Sequence, residues 1–253
     1  MSEVVVSRAG GVLEARIDRA AKKNALTFAM YTALTEALQQ AHADPSVRAA
    51  LITASGETFC AGNDIADFLK PREDFGAAPP SRFIEALVAF DKPLVAAVQG
   101  PAVGIGATML LHCDLVYVSP TARLRMPFVS LGLVPEAGSS LLLPRRVGDV
   151  VAAEMLLLGA WIDAERAREL RLVNAIVPSS ELAPFARART EELAASPPGA
   201  LRMTRALLRG DSEALRARIQ KEAAAFAESL RSPEAKEAFN AFLERRPPDF
   251  TKL

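Results

Sequence analysis

The N-terminal part of the chain alternates apolar and polar positions in the manner of β-strands. Residues 3–8 and 12–18 show this alternation on either side of Gly10 and Gly11, and the combination predicts a β-hairpin. From residue 27 to residue 43 the apolar positions recur at helical spacing instead. This second pattern predicts an amphipathic α-helix.

Three apolar, β-branched runs at 47–53, 94–98 and 114–118 predict buried strands, and helix-like stretches separate them. Strands that alternate with helices in this way indicate a parallel sheet in an α/β architecture. Residues 71–81 are rich in Gly, Ala and Pro and lack periodicity. We therefore expect a mobile loop there, at a position suited to a lid over a bound ligand.

The pattern changes toward the end of the chain. Asp163 predicts the start of a helix that ends at Leu170, and a short strand is expected at 172–177. From Ser179 onward Leu, Ala, Arg and Glu dominate, and strand patterns disappear.

Further helix boundaries follow within this last region. The sequence SPPG at 196–199 interrupts it, and Asp211 and Ser232 each predict the start of a further helix. We therefore divide the chain into a core with the binding and active sites, residues 1–195, and a C-terminal helical region, residues 196–253.

Composition and charge narrow the function classes. Half of the 253 residues are hydrophobic and 24% are charged, which suits a large buried core. The formal net charge is zero, so no overall basic excess favours nucleic acid. Cys60 and Cys113 have neither disulfide nor metal-ligand spacing, and we expect a cytoplasmic protein without a bound metal. No apolar run approaches the length of a membrane span. His42 and His112 have no partner acid at useful spacing, and this indicates structural roles for both histidines.

One carboxylate, Glu136, stands in an otherwise almost wholly apolar stretch, residues 124–143. Burying a charge is costly, so an acid in such surroundings either has a partner or has a pKa raised toward neutrality. A raised pKa suits a group that carries a proton in catalysis. The alternative is structural, because Glu136 also stands where a helix beginning near Ala137 would place an acid at its N-terminus.

Two glycine-rich turns accompany this acid. FCAGNDI at 59–65 follows the strand-like run 49–53, and QGPAVGIG at 99–106 follows the run 94–98. Unpaired backbone N–H groups at such junctions can converge on one developing negative oxygen. A single glycine junction is ordinary turn chemistry. Two junctions and a lone acid together predict an oxyanion hole with a general base.

These motifs, in this order, resemble the crotonase family, the enoyl-CoA hydratase/isomerase superfamily. The resemblance includes NAL at 24–26, AGNDI at 61–65, GPAVG at 100–104, CD at 113–114, LG at 131–132 and AFLERR at 241–246. It implies an α/β fold built as a spiral of ββα units, with C-terminal helices that assemble trimers or pairs of trimers. An amphipathic tail that packs only on its own core is the alternative for those helices. The resemblance implies no permanently bound cofactor, since coenzyme A arrives as part of the substrate.

Hydratases of this family carry two glutamates, at positions that here hold Thr108 and Phe128. Neither side chain moves a proton at neutral pH. A third position, where isomerases and dienoyl-isomerases of the family place their acid, holds Glu136. The stretch 126–140 is most similar to the Δ3,Δ2-enoyl-CoA isomerases of the peroxisomal type.

The resemblance also assigns the other site residues. The resemblance assigns the oxyanion hole to the backbone N–H groups of Asn63 and Ile105. Asn63 stands at a position where the family more commonly has Ala. Coenzyme A is expected beside Lys22, Lys23, Asn24, Ala61, Asp64, Ile65, Arg245 and Arg246. Walls of the acyl pocket are expected at Phe68, Thr108, Phe128, Leu131 and Trp161. Alternatives are a solvated turn for the lysines, a surface charge pair for the arginines and ordinary core for the apolar residues.

The leading hypothesis is an enoyl-CoA isomerase of fatty-acid oxidation that acts on an acyl-CoA thioester. A conventional hydratase is disfavoured because the two glutamates are missing. Isomerisation of a cyclic or aromatic acyl-CoA, such as a ring epoxide, stays open because it also uses one acid at this position. A non-catalytic homologue that binds acyl-CoA or RNA is an alternative of a different class. Neutral charge disfavours RNA, and the retained Glu136 disfavours loss of catalysis.

Overall fold

The structure is a computed structural model that describes residues 3–68 and 78–252, with residues 68 and 252 described for their backbone alone. The strands are β1 (Val4–Ala9), β2 (Val12–Ile17), β3 (Ala49–Ala54), β4 (Leu94–Val98), β5 (Pro101–Val103), β6 (Leu115–Val118), β7 (Arg123–Arg125), β8 (Ile162–Asp163) and β9 (Ala175–Ile176). The α-helices are α1 (Phe28–Ala43), α2 (Ile65–Phe68), α3 (Pro79–Ala89), α4 (Ile105–Thr108), α5 (Ser139–Val147), α6 (Asp149–Ala153), α7 (Ala164–Glu169), α8 (Leu182–Ala195), α9 (Pro198–Arg209), α10 (Ser212–Ser229) and α11 (Pro233–Leu243). Single turns of other helix types include the 3-10 turns Met109–His112 and Val129–Leu131 and the π-helical turn Glu154–Leu158.

A six-stranded sheet in the order β1-β2-β3-β4-β6-β9 forms the centre of the fold, and β5-β7-β8 form a second sheet. The predicted hairpin is confirmed: β1 and β2 pair antiparallel around Gly10 and Gly11, whose φ values of 59° and 77° suit a two-residue turn. All further pairs of the large sheet are parallel. The expected α/β architecture is therefore confirmed.

Helices bury both faces of the large sheet. In β3, Ala50 and Ile52 join the core cluster that includes residues of α1 and α3. Their neighbours Ala49 and Leu51 point to the other face and join a cluster with residues of α8. Successive residues of a strand face opposite sides, so a strand covered on both sides is apolar throughout. This explains the unbroken apolar runs in the sequence.

Two segments differ from the sequence-based expectation. The strand expected at 172–177 is shortened to β9, because Asn174 Oδ1 accepts the Val116 N–H at 2.7 Å and replaces a backbone partner there. Of the loop expected at 71–81, residues 71–77 lie outside the described residues. Residues 79–81 are helical instead, because the prolines at the start of α3 suit the first turn of a helix.

The predicted helix starts in the C-terminal half are confirmed. The side chains of Asp163, Asp211 and Ser232 accept backbone N–H groups at the starts of α7, α10 and α11. The proposed division after residue 195 falls between α8 and α9, and it stays a prediction. No helix in the described parts of the chain is both long and apolar enough to cross a membrane.

Candidate active site

The two glycine-rich turns lie against each other. A parallel bridge joins Cys60 to Ala102, and the Val103 N–H donates to the Cys60 carbonyl at 2.8 Å. A Cβ on Gly62, whose φ is 96°, would lie 3.3 Å from the Val103 carbonyl oxygen. A Cβ on Gly106 would lie 2.7 Å from the Cβ and the carbonyl oxygen of Cys60. The glycines therefore permit a close approach that a larger residue would prevent.

This contact brings two backbone N–H groups to one cavity, those of Asn63 and Ile105. Asn63 follows directly after Gly62, and Ile105 is the first residue of α4, where a helix leaves its N–H groups without intrahelical acceptors. Among the described residues, neither N–H has a hydrogen-bond acceptor. Two unpaired donors beside one cavity are what the predicted oxyanion hole requires.

The side chain of Asn63 is anchored from behind. The hydroxyl of Tyr31 donates to Asn63 Oδ1 at 2.5 Å. Tyr31 itself is 1% exposed on α1, and its ring packs against Phe83 of α3 with the ring centroids 5.7 Å apart. The side chain at the position where the family usually has Ala is thus tied to the core rather than free in the cavity.

Glu136 hydrogen-bonds to Thr108. The Thr108 hydroxyl, fully buried at the end of α4, donates to Glu136 Oε1. Because Thr108 lies one helical turn after Ile105, this bond fixes the carboxylate relative to the expected oxyanion hole. Glu136 is not a helix cap, since α5 begins at Ser139 with Gly138 as its N-cap.

The surroundings of Glu136 shift its pKa toward neutrality. Burial raises the pKa of Glu136 to about 8, the hydrogen bond from Thr108 opposes this shift, and the charge of Glu222 adds to it. Burial also raises the pKa of the neighbouring Cys60 thiol to about 12, so Cys60 stays protonated at neutral pH. A carboxyl group with a pKa near neutrality can both accept and return a proton.

The turn that follows Glu136 has an unusual backbone. Ala137 and Gly138 are consecutive left-handed residues, with φ values of 58° and 72°. Ser139 closes the turn, because its N–H and its hydroxyl both donate to the Glu136 carbonyl, at 3.0 and 2.6 Å. His112 adds a contact of 2.7 Å from its Nε2 to the Ala137 carbonyl oxygen. Burial lowers the pKa of His112 to about 4, so the ring is neutral, and Nε2 donates because a carbonyl can only accept.

A cavity of about 750 Å³ opens at the two turns. Lys22, Lys23, Ala61, Asn63, Asp64, Ile65, Ile105, Phe128, Leu131 and Arg246 line it, all of them residues that the resemblance assigned to the site. Phe226, Ala238, Phe239 and Phe242 of α10 and α11 add further apolar wall, and Arg125 adds a cation. The cavity therefore has apolar walls and a cationic rim, which suits a ligand with an acyl chain and phosphates.

Two residues that the resemblance assigned to coenzyme A binding, Asn24 and Asp64, form hydrogen bonds that stabilise the turn beside the cavity. Asn24 is fully buried: it accepts from the Arg19 N–H at 2.8 Å and donates to the carbonyls of Ser55 and Thr58 at 2.8 and 2.6 Å. The Asp64 carboxylate pairs with Arg19 at 2.7 Å and accepts the Ala66 N–H at the start of α2. Arg19, Asn24 and Asp64 thus shape the turn that carries Lys22 and Lys23.

The two C-terminal arginines differ in position. Arg246 lines the cavity and binds Glu237 through two hydrogen bonds of 2.5 and 3.1 Å. This pairing holds the pKa of Glu237 down at about 2. Arg245 is exposed, has a φ of 56° and is not part of the described cavity wall.

Other assigned residues lie away from the described wall of the cavity. Glu136 and Thr108 are not part of that wall, and they connect to it through α4. The ring of Trp161 stacks on the guanidinium groups of Arg123 and Arg125, 4.7 and 5.5 Å from its centroid, and of these two arginines Arg125 lines the cavity. The side chain of Phe68 lies outside the described residues.

Residues near the site that were not identified from the sequence include Tyr31, Arg125 and Glu222. The sequence pattern could have identified one of these three residues. Glu222 is an acid at helical spacing between Ile219 and Phe226, within the apolar face of α10. Tyr31 and Arg125 carry no comparable local pattern. Within the described residues, no group of three or more His, Cys, Asp or Glu could hold a metal ion.

Comparison with known proteins agrees with this geometry. The family model for enoyl-CoA hydratase/isomerase matches residues 7–252. Enoyl-CoA delta isomerase 2 of Rattus norvegicus is 35% identical over 96% of this chain, which spans 64% of that protein's length. The 2,3-dehydroadipyl-CoA hydratase of Escherichia coli K12 is also 35% identical, over 99% of both chains. A crystal structure of an enoyl-CoA hydratase/isomerase from Pseudoalteromonas atlantica T6c matches with a TM-score of 0.95 and 42% identity, over 99% of this chain and 100% of the other. With its crotonase fold, paired turns and buried acid, the chain belongs to the enoyl-CoA hydratase/isomerase family, the crotonase superfamily, and is an enzyme that acts on acyl-CoA thioesters.

Proposed function

We propose that the protein is an enoyl-CoA isomerase that moves a double bond from carbon 3 to carbon 2 of an acyl-CoA. The observation that carries this proposal is the pairing of a single acid, Glu136, with a threonine at the place of a hydratase glutamate. The relatives do not separate the two reactions, since the rat isomerase and the E. coli hydratase are equally identical to this chain. The proposal therefore rests on the residues at the site.

The reaction needs one base and one oxyanion hole. The thioester carbonyl accepts hydrogen bonds from the N–H groups of Asn63 and Ile105, which stabilise the negative charge of an enolate. Glu136 removes a proton from carbon 2, and the electron pair of that C–H bond delocalises onto the carbonyl oxygen. The protonated Glu136 then returns the proton to carbon 4 as the enolate collapses, which leaves the double bond between carbons 2 and 3.

Hydration makes a different demand, because a water molecule must be held and split. The family does this with two glutamates, and here those positions hold Thr108 and Phe128. Neither side chain is ionisable at neutral pH, and the nearby Cys60 stays protonated. One carboxyl group with a pKa of about 8 can accept a proton from one carbon and return it to another.

The test compares two reactions catalysed by the same purified protein. Turnover of a 3-enoyl-CoA to the conjugated 2-enoyl-CoA is followed by ultraviolet absorbance, and hydration of crotonyl-CoA by the loss of that absorbance. We expect isomerisation to dominate, and a dominant hydratase rate would refute the proposal. A panel of cyclic and aromatic acyl-CoAs tests the ring-isomerase alternative. A gel shift at physiological salt, with a catalytically silent protein, would support an RNA-binding homologue.

We also propose that copies of the chain assemble through exposed apolar helix faces. On α9, Leu207 and Leu208 are 84% and 83% exposed, and Leu158 in the π-helical turn is 73% exposed. Leucines this exposed, on a helix whose one buried residue is Arg205, suit an interface between subunits. Light scattering should give the mass of a trimer or hexamer, and L207D combined with L208D should lower it. A monomeric wild-type protein would contradict this.

A further inference from the structure

Glu222 lies in the middle of α10, far along the chain from Glu136, yet it contacts the same turn. It is 7% exposed, and its carboxylate accepts the Gly138 N–H at 2.6 Å and the Ser140 N–H at 2.9 Å. The Ser140 hydroxyl adds a third hydrogen bond at 2.5 Å. A buried acid with three donors is fully partnered at the N-terminus of α5, where negative charge is favoured.

The turn that Glu222 binds would not hold its shape alone. Left-handed backbone is disfavoured for a residue with a Cβ, and Ala137 adopts it directly before the left-handed Gly138. Such a conformation persists when surrounding contacts over-determine it. Here the contacts are the His112 ring on the Ala137 carbonyl and the Glu222 carboxylate on the Gly138 N–H.

The packing of α10 makes this contact close and specific. A Cβ on Gly138 would lie 2.5 Å from Leu215 Cδ1 and 3.3 Å from Ile219 Cγ1, so the helix rests directly on the turn. Glu222 stands one helical turn beyond Ile219, on the same face. The turn is therefore held between the buried His112 on one side and α10 on the other.

We propose that Glu222 is a positioning residue for Glu136: by binding the N-terminus of α5, it fixes the turn that aims the Glu136 carboxylate. Glu222 does not touch the substrate in this proposal. It acts through the Gly138 and Ser140 backbone, which is two to four residues from the base.

The charge of Glu222 has a second consequence, because it also disfavours ionisation of Glu136 and adds to the rise in the Glu136 pKa. The other groups that face Glu136 do not offset this charge. Thr108 and the protonated Cys60 are neutral, and His112 is neutral because its pKa is lowered to about 4. Arg218 binds the Ser140 hydroxyl at 3.2 Å and so faces Glu222 from the same helix. Removal of the Glu222 charge should therefore lower the pKa of Glu136.

The test rests on the proposed isomerase reaction and uses the full-length protein with E222Q, S140A and the control E228Q. Glu228 is an exposed glutamate on the same helix.

For E222Q we expect kcat to fall about tenfold to a hundredfold, since a small misplacement of a reacting group has such an effect. KM should change less than about twofold, and the acid limb of the pH–rate profile should move to lower pH. S140A should lower kcat less and leave the limb in place, because the charge remains. E228Q should match the wild-type protein.

A second readout does not depend on turnover. For the wild-type protein and for E222Q, Tm is measured with and without the additional substitution E136Q at a series of pH values. The pH dependence of this difference in Tm reports the titration of Glu136 itself. A midpoint at lower pH in E222Q supports the proposal even where no isomerase activity is found, so the two proposals can fail separately. An unchanged midpoint together with an unchanged kcat in E222Q overturns the positioning role. If E222Q does not fold, S140A decides, and full kcat in S140A overturns the proposal.

Discussion

The hydroxyl of Thr108 donates a hydrogen bond to Oε1 of Glu136. The residue at a position where hydratases of the family carry a glutamate is thus a hydrogen-bond partner of Glu136. A hydroxyl that donates to a carboxylate stabilises the ionised form and so opposes the effect of burial on the Glu136 pKa. The side chain at this position and the ionisation of Glu136 are therefore linked at one contact.

Substitution E136Q should abolish isomerisation while acyl-CoA binding survives. Glutamine keeps the size of the side chain but cannot accept the proton, and loss of a general base typically lowers a rate about 10²–10⁴-fold. Exchange of the carbon-2 proton with deuterated water should fall in parallel. Binding is measured by calorimetry with a non-reactive acyl-CoA. Near-normal turnover in E136Q would show that another group is the base.

The stability of the wild-type protein relative to E136Q should fall as pH rises from about 5 to about 8. The pKa of Glu136 is about 8 in the folded protein, against a usual value of 4.5, so the folded state binds more protons in this range and loses stability as they leave. Thermal melts of wild-type protein and E136Q across this range check the slope. A difference that is independent of pH, or that grows with pH in favour of the wild type, would contradict the shifted pKa.

Substitution T108V should move the acid limb of the pH–rate profile to higher pH. Valine keeps the shape of threonine but removes the hydrogen bond that favours the ionised Glu136. Such a bond to a charged group contributes about 1.5–3 kcal/mol, equivalent to about one to two pH units. The matched control is T190V, which removes a fully buried hydroxyl bonded within α8. A limb that stays in place in T108V would mean that this bond does not tune the base.

Substitution Y31F should lower kcat about fivefold with little change in KM. It removes the hydroxyl that holds Asn63 Oδ1, and the loss of such a hydrogen bond costs about 1 kcal/mol. The Asn63 backbone N–H then loses part of its fixed orientation. The other tyrosine, Tyr117, lies on β6 and packs against Phe185, so Y117F is the control. Equal effects in the two variants would indicate a general loss of stability instead.

Substitution R246A should raise the KM for acyl-CoA about two- to fivefold, whereas R245A should leave it unchanged. Arg246 lines the cavity and Arg245 does not belong to its described wall, although the two are neighbours in sequence. An exposed charge contributes up to about 1 kcal/mol to such an interaction. The contrast between the variants separates a phosphate contact from general surface charge. Equal KM values for both variants and the wild type would favour the surface charge pair.

The parts of the site that sequence analysis could predict are those determined by local chemistry. A glycine-rich junction after an apolar strand is visible over a few residues, as at Gly62 and Gly104, and an acid in an apolar run such as Glu136 is conspicuous. The Thr108–Glu136 bond is not visible in this way, because it depends on how α4 and the turn before α5 meet. Trp161 was expected in the wall of the acyl pocket because its ring is apolar. The ring instead packs on the guanidinium groups of Arg123 and Arg125, a contact that depends on the tertiary structure.

The bond between Glu222 and the Gly138 N–H spans 84 residues of sequence. During synthesis, at about 5–20 residues per second, the ribosome needs roughly 4–17 s to make that length of chain. The turn beside Glu136 therefore lacks its contact with Glu222 until α10 has been translated. A nascent chain can form the strands of the sheet before that contact exists, so the arrangement that we propose positions Glu136 is completed only late in synthesis.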